Sequence, residues 1–98
     1  MIIAIATDDK QTVSAVFGRA GYFALYKDGQ NQPEFIVGSA SAEHGAGTGA
    51  VSRLAELGVN MVYAAELGPK AKDSLAAAKI SVTIVPAGSP LAQALKRA

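Results

Sequence analysis

The second half of the chain alternates short apolar runs with segments of helical periodicity, and this pattern constrains the fold most. From Val51 onward apolar residues recur at i, i+3, i+4 and i+7, which predicts a helix over about 48–57 that stops at Gly58. The elements that follow are a buried strand at 59–64, a helix from Pro69 to about 79, a strand at 80–85 and a helix after Ser89-Pro90. Strands joined through helices run parallel with right-handed crossovers, so this half predicts a parallel α/β unit.

The first half reads as three strands. Apolar and aromatic runs predict strands at 2–6, 22–27 and 34–38, with a loop and a helical turn over 11–21. Asp28-Gly29 and Pro33 predict a hairpin between the second and third strands, with a loop of about five residues. The order β-β-β-α-β-α-β-α then gives a three-layer α/β/α fold. Its five-stranded sheet is mixed, with strand 2 antiparallel and helices on both faces.

Composition limits the function classes. The 98 residues form a single domain, half of them apolar, and the net charge of +1 gives no reason to expect nucleic acid as a partner. The chain has no cysteine, which removes disulfides and thiolate ligands and fits a cytoplasmic protein. No apolar run reaches the roughly 18 residues of a membrane span, and we read the N-terminal run as a strand and not a signal peptide. We expect no binding to membranes, and the sequence leaves the oligomeric state open while favouring a monomer.

Four segments should meet at one edge of the sheet. Ligands of open α/β sheets gather at the carboxyl ends of parallel strands. The segments that reach that edge are Thr7-Asp8, the loop 43–50, residues 65–68 and residues 86–88. Two predicted helix N-termini, at about Thr48 and Pro69, point toward it.

The loop Glu43-His44-Gly45-Ala46-Gly47-Thr48-Gly49-Ala50 is the strongest candidate site at that edge. Three glycines just before a helix bring free N–H groups and the positive end of the helix dipole together, which favours an anionic ligand. The alternative is a plain connecting loop. The pattern also matches G-x-G-x-x-A loosely, but the preceding strand ends near residue 38, too early for a dinucleotide turn. No Lys-Ser/Thr pair follows the glycines, so it is not a Walker loop.

Several segments together resemble the dinitrogenase iron–molybdenum cofactor biosynthesis family. They are Ile-Ala-Ile-Ala-Thr-Asp-Asp at the start, Phe17-Gly18-Arg19-Ala20 leading into Tyr22-Phe23, the His44–Ala50 loop, Leu57-Gly58-Val59 and Leu67-Gly68-Pro69-Lys70-Ala71. The resemblance covers almost the whole chain. It implies a ribonuclease H-like fold and a role in binding, carrying or protecting iron–sulfur and molybdenum-containing clusters. One position departs from the family, which often has histidine before Phe-Gly-Arg, because this chain has Val16 there and valine cannot ligate a metal.

The residues left to contact such a cluster define the predicted site. His44 offers an imidazole ligand for a metal, and Arg19 offers a fork of donors for an anion, with a solvated surface side chain as the alternative for each. We expect the cofactor-binding set to be His44, Gly45, Gly47, Thr48, Gly49, Arg19 and Thr7. The cargo would be an iron–sulfur or iron–molybdenum type cluster, weakly held and absent from protein purified in air.

The function predicted from the sequence is a small carrier protein, not an enzyme, for an anionic cluster or its precursor. Its partners would be metallocluster assembly or acceptor proteins, as in nitrogen fixation. A second hypothesis is a Mg²⁺-dependent phosphoryl hydrolase using Asp8, Asp9 and Glu66, although Asp8 also suits a turn or cap. A third is a metal-free anion- or nucleotide-binding module.

Overall fold

A computed structural model describes residues 1–15, 17, 20–27, 32–37 and 48–96 of the chain. Within these ranges the elements follow the predicted order. The strands are β1 (Ile3–Thr7), β2 (Tyr22–Tyr26), β3 (Glu34–Val37), β4 (Met61–Ala64) and β5 (Ser81–Ile84). The helices are α1 (Thr48–Glu56), α2 (Pro69–Ala77) and α3 (Leu91–Lys96). Most bounds differ from the predicted ones by one or two residues.

The five strands form one mixed sheet in the order β3-β2-β1-β4-β5. β2 runs antiparallel to β1 and to β3, while β1, β4 and β5 are parallel. The apolar run of β1 is explained by its central place, since Ala4, Ile5 and Ala6 are fully buried. The predicted α/β class with strand 2 antiparallel is confirmed.

Successive side chains along each strand point to opposite faces of the sheet, so the core forms two clusters, one on each face. Ala4, Val62 and their neighbours pack with Leu54 of α1 and Leu75 of α2 in one cluster. Ile5, Tyr63 and Val85 pack with Leu91 and Ala94 of α3 in the other. Helices therefore cover both faces, and the three-layer α/β/α arrangement follows.

The helix starts are what position the candidate site. α1 leads into β4 and α2 leads into β5, so both helices run antiparallel to the parallel strands and begin at the carboxyl ends of those strands. Gly68 precedes α2 in an extended conformation, and Pro69 occupies the first helical position, where a missing N–H costs nothing. At the opposite edge, the backbone N–H of Ile2 donates to the Asn60 side chain, with 2.8 Å between nitrogen and oxygen.

In the described ranges, no helix combines the length and apolar character needed to cross a membrane.

Candidate functional site

The carboxyl ends of β1, β4 and β5 meet at one edge of the sheet, where a groove of about 550 Å³ opens to solvent. Its lining comes from the loop after β1, the end of β4 and the end of β5: Ala15, Ala65, Glu66, Ile84, Val85, Pro86 and Ala87. The volume falls within the range of small-ligand sites. The predicted convergence of segments after β1, β4 and β5 is therefore present.

The groove is apolar apart from one side chain. Among the described lining residues Glu66 alone carries a charge, and the rest are aliphatic or proline. The backbone of Glu66 is held in place because its carbonyl accepts a hydrogen bond from the N–H of Phe17 at 3.2 Å. Ile84 stands at the rim with 63% of its surface exposed. Such walls favour the apolar part of a ligand, and the carboxylate favours a positive charge.

Thr7 ends β1 and is fully buried. Its hydroxyl donates to the Thr12 carbonyl, with 2.6 Å between the oxygens, and accepts from the N–H of Lys10 at 3.0 Å. The hydroxyl is therefore used inside the loop that follows β1. A contact between Thr7 and a cofactor stays a prediction. To donate a hydrogen bond to an anionic cargo, the hydroxyl would have to give up its bond to the Thr12 carbonyl.

Asp9 organises the same loop. One carboxylate oxygen accepts from the N–H groups of Gln11 and Thr12 at 2.9 and 2.8 Å, and the other accepts from the Thr12 hydroxyl at 2.9 Å. The backbone N–H of Thr12, then that of Gln11, lower the pKa of the Asp9 carboxyl from its ordinary value near 3.8 to about 2. Asp9 is thus charged across the physiological range and serves as the acceptor at the centre of a turn.

Asp8 closes a longer stretch of the chain. Its Oδ2 accepts from the Ser14 hydroxyl at 2.9 Å, and its Oδ1 accepts from the Gly21 N–H at 2.8 Å. These two bonds bracket residues 14–21, the segment that contains Arg19. The prediction that Asp8 serves a turn agrees with these contacts.

The loop after β1 is also joined to the segment between β5 and α3. The N–H of Val13 donates to the Ser89 carbonyl at 2.9 Å, and the N–H of Gly88 donates back to the Val13 carbonyl at 3.0 Å. The N–H of Leu91 donates to the Gln11 carbonyl at 2.9 Å. Three N–H groups and three carbonyls are satisfied in this way, which makes one side of the groove a connected unit.

The other predicted site residues divide into two groups. Thr48 and Gly49 are the first residues of α1, so their backbone lies at the carboxyl edge of the sheet, as predicted. His44, Gly45, Gly47 and Arg19 lie outside the described residues, as does Val16. Their roles stay predictions.

The carboxylates invoked for Mg²⁺ do not form a cluster. Within the described ranges, no three side chains among histidine, aspartate and glutamate come close enough to hold a metal ion. Asp8 and Asp9 also use their oxygens within the loop, as described above. The hydrolase hypothesis therefore gains no support from this part of the molecule.

Two features of this edge were missed by the sequence analysis. Ile84 was placed in a strand without regard to its position in the sheet, yet β5 is an edge strand and its last residue is exposed. Lys10 has a positive φ of 65°, and its ammonium lies 4.5 Å from the centroid of the Tyr22 ring. The only sequence signal for the second feature was the polar run at 7–10, which is compatible with many turns.

The fold and this edge define a small α/β/α protein with an open site at the carboxyl ends of its parallel strands. The family model described as dinitrogenase iron-molybdenum cofactor matches residues 1–98, and the chain belongs to that family. This membership confirms the family resemblance seen in the sequence.

Solved structures agree with this assignment. The apo form of the orange protein from Desulfovibrio gigas is 31% identical, with a TM-score of 0.88 over 98% of this chain and 84% of that one. A Thermotoga protein of the DUF35 family, provisionally named NifB, is 28% identical, with a TM-score of 0.78 over 97% of this chain and 84% of that one. Among curated protein sequences, none matches this chain.

Proposed function

We propose that this protein is a non-enzymatic carrier of an anionic iron–sulfur or molybdenum-containing cluster, or of its precursor. It would act in the cytoplasm, in the assembly or protection of metalloclusters such as those of nitrogen fixation. Assembly or acceptor proteins would be its partners. The observation that carries the proposal is the match of the whole chain to the dinitrogenase iron-molybdenum cofactor family.

The neighbours support a protein that binds a group. The orange protein structure is of an apo form, which implies a second, ligand-bound form of that protein. The Thermotoga protein carries a name from the same area of metallocluster biosynthesis as the family. Both resemble this chain over nearly its full length, so a cargo site on the shared fold is a reasonable inference.

The geometry of the carboxyl edge supports an anionic cargo beside α1. α1 has nine residues and begins at this edge, so its first N–H groups and its positive dipole end are available there. We assign the cargo contacts to the backbone of Gly45, Gly47 and Gly49 with Thr48. His44 would act as a metal ligand, Arg19 would pair with the negative charge, and Thr7 would support the site from β1.

The absence of cysteine from the sequence determines how strong such a site is. Thiolates are the usual protein ligands of iron–sulfur clusters, and this chain supplies none. The cluster must bring its own sulfide and be held by N–H groups, one guanidinium and at most one imidazole. Binding should then be weak and reversible, as a protein that hands its cargo on requires.

The test is anaerobic incubation of the purified protein with a pre-formed anionic cluster, followed by visible absorbance and metal analysis after gel filtration. We expect a coloured complex. The His44→Ala change should weaken it, and Arg19→Ala should weaken it further, by roughly tenfold, because a charge-assisted contact is lost. The backbone donors survive both substitutions, so neither alone should abolish binding.

A charge-matched control separates the site from general electrostatics. Lys79 is exposed and lies just before β5, at the edge of the sheet opposite the proposed site. Lys79→Gln removes one positive charge, as Arg19→Ala does, and should bind the cluster like the parent. The proposal is wrong if no cluster associates, or if the His44 and Arg19 variants both bind like Lys79→Gln.

A further inference from the structure

The groove beside the proposed cargo site has the wrong charge for an anion. Glu66 is exposed, and its carboxylate has no hydrogen-bond or ion-pair partner among the described residues. No positively charged side chain is found among the described lining residues. Among the described residues nothing offsets the negative charge of Glu66, so an anion placed there would be repelled by it.

An arginine side chain has the complementary chemistry. Its aliphatic stem packs along apolar walls while its guanidinium forms a fork of hydrogen bonds to a carboxylate. Here Ala15, Ala65 and Ala87 supply small apolar walls, and Glu66 supplies the acceptor. Guanidinium loses less hydration than ammonium on entering an interface, which favours arginine over lysine.

Ile84 indicates that the arginine belongs to a protein. This side chain lines the groove and keeps 63% of its surface exposed. A small amine would leave Ile84 in water, whereas a protein surface around an inserted arginine would cover it.

We propose that the groove lined by Ala15, Glu66 and residues 84–87 docks a partner protein by accepting one of its arginine side chains. Glu66 is the acceptor, and Ile84 is the apolar contact beside it. The identity of that partner as a cluster acceptor rests on the proposed function. The docking itself does not, because it uses none of the residues assigned to the cargo.

The experiment uses the cargo-free protein and three probes. The first is the peptide acetyl-Leu-Arg-Leu-amide, the second replaces arginine by its neutral isostere citrulline, and the third is butylguanidinium alone. Amide shifts of Ala15, Ala65 and Ala87 are followed by NMR as each probe is added. We expect the arginine peptide to bind roughly two- to fivefold more tightly than the citrulline peptide, the range for an exposed ion pair. Added salt should reduce the difference.

Variants assign the contacts. Glu66→Gln should lower the affinity for the arginine peptide to that for the citrulline peptide. Ile84→Ser should weaken binding of the arginine peptide but leave the affinity for butylguanidinium unchanged. Glu56→Gln is the matched control, because Glu56 is exposed at the end of α1, at the opposite edge of the sheet. This variant should bind the arginine peptide as tightly as the parent does.

Each other outcome overturns the proposal. The groove does not recognise arginine if the three alanine amides do not shift or if both peptides bind equally. The same conclusion follows if Glu66→Gln binds the arginine peptide as tightly as the parent does. If butylguanidinium binds as tightly as the peptide and Ile84→Ser has no effect, the groove takes a free amine and not a protein. Cluster binding can fail while these results hold, so the two proposals are tested separately.

Discussion

The carboxylate of Asp8 accepts a hydrogen bond from the backbone N–H of Gly21, with 2.8 Å between Oδ1 and the nitrogen. Gly21 lies thirteen positions after Asp8 in the sequence, and the other carboxylate oxygen accepts a hydrogen bond from the Ser14 hydroxyl. One side chain thus fixes both ends of the segment that contains Arg19.

Asp8→Ala should lower the free energy of unfolding by about 1–2 kcal/mol, because two hydrogen bonds to a charged acceptor are lost at an exposed position. Urea unfolding measures this. Gly21→Ala is the companion variant, since a Cβ there would lie 3.7 Å from Asp8 Oδ1, an ordinary contact, and the bond survives. A smaller loss for Asp8→Ala than for Gly21→Ala would contradict the assigned role.

The low pKa of Asp9 predicts how the free energy of unfolding depends on pH. Its folded pKa of about 2 lies below the ordinary value near 3.8, so the charged form is favoured by folding. That contribution is fully present above about pH 4 and is lost as the pH falls toward 2. The stability difference between the parent and Asp9→Asn should therefore be constant above pH 4 and shrink between pH 4 and pH 2. If the stabilities of the parent and of Asp9→Asn run parallel between pH 4 and pH 2, the hydrogen bonds of the turn do not stabilise the charged form of Asp9.

Gly58 ends α1 with a φ of +82°, a conformation that a Cβ disfavours. We expect Gly58→Ala to cost about 1–2 kcal/mol in urea unfolding. Gly68→Ala is the matched control, because Gly68 is extended and a Cβ there meets no atom within 4 Å. Similar losses at the two glycines would mean that backbone conformation is not the cause.

Lys79 is a non-glycine residue in the left-handed conformation that Gly58 also adopts. It has a φ of +61° just before β5, where glycine would be unstrained. This explains why α2 ends at Ala77 although the alanine-rich sequence predicts a helix to about 79. The chain must turn left-handed to enter β5, and no glycine marks the place. Helix periodicity is a local property that the sequence displays, whereas this turn is imposed by the position of the next strand.

At the site too, features that depend on local sequence patterns could be predicted, and features imposed by the tertiary structure could not. The order of elements and the antiparallel β2 follow from local apolar patterns and turn residues, so they were predicted. That Ile84 is exposed depends on β5 lying at the edge of the sheet, and a buried strand would show the same apolar run. The bonds from Asp8 to Ser14 and Gly21 join residues that no sequence motif connects. The site at His44 and Arg19 stays a prediction.

Tyr63 predicts a gain in stability. Its side chain is fully buried in the cluster under α3, and its hydroxyl has no hydrogen-bond partner among the described residues. Burial also raises the pKa of this phenol above its ordinary value of 10.0. Because an unpaired buried hydroxyl costs free energy, Tyr63→Phe should leave stability unchanged or raise it by about 1 kcal/mol. Tyr63→Ala should lower it by about 3–5 kcal/mol through lost packing. A loss of more than about 1 kcal/mol in Tyr63→Phe would reveal a partner for the hydroxyl.

The last prediction locates the anion site without a cluster. Two nine-residue helices, α1 and α2, begin at the same edge, so helix dipole alone would favour both. The glycine loop directly precedes α1 in the sequence, and Pro69 removes one N–H donor from α2. Sulfate or molybdate should therefore shift the amides of 44–50 in an NMR titration, while those of 70–72 move less than half as far. Sodium chloride at equal ionic strength controls for screening, and the shifts in Arg19→Ala should saturate at higher anion concentration. Larger shifts at 70–72 than at 44–50 would move the anion site from α1 to α2, and the cargo contacts assigned to the glycine loop would be wrong.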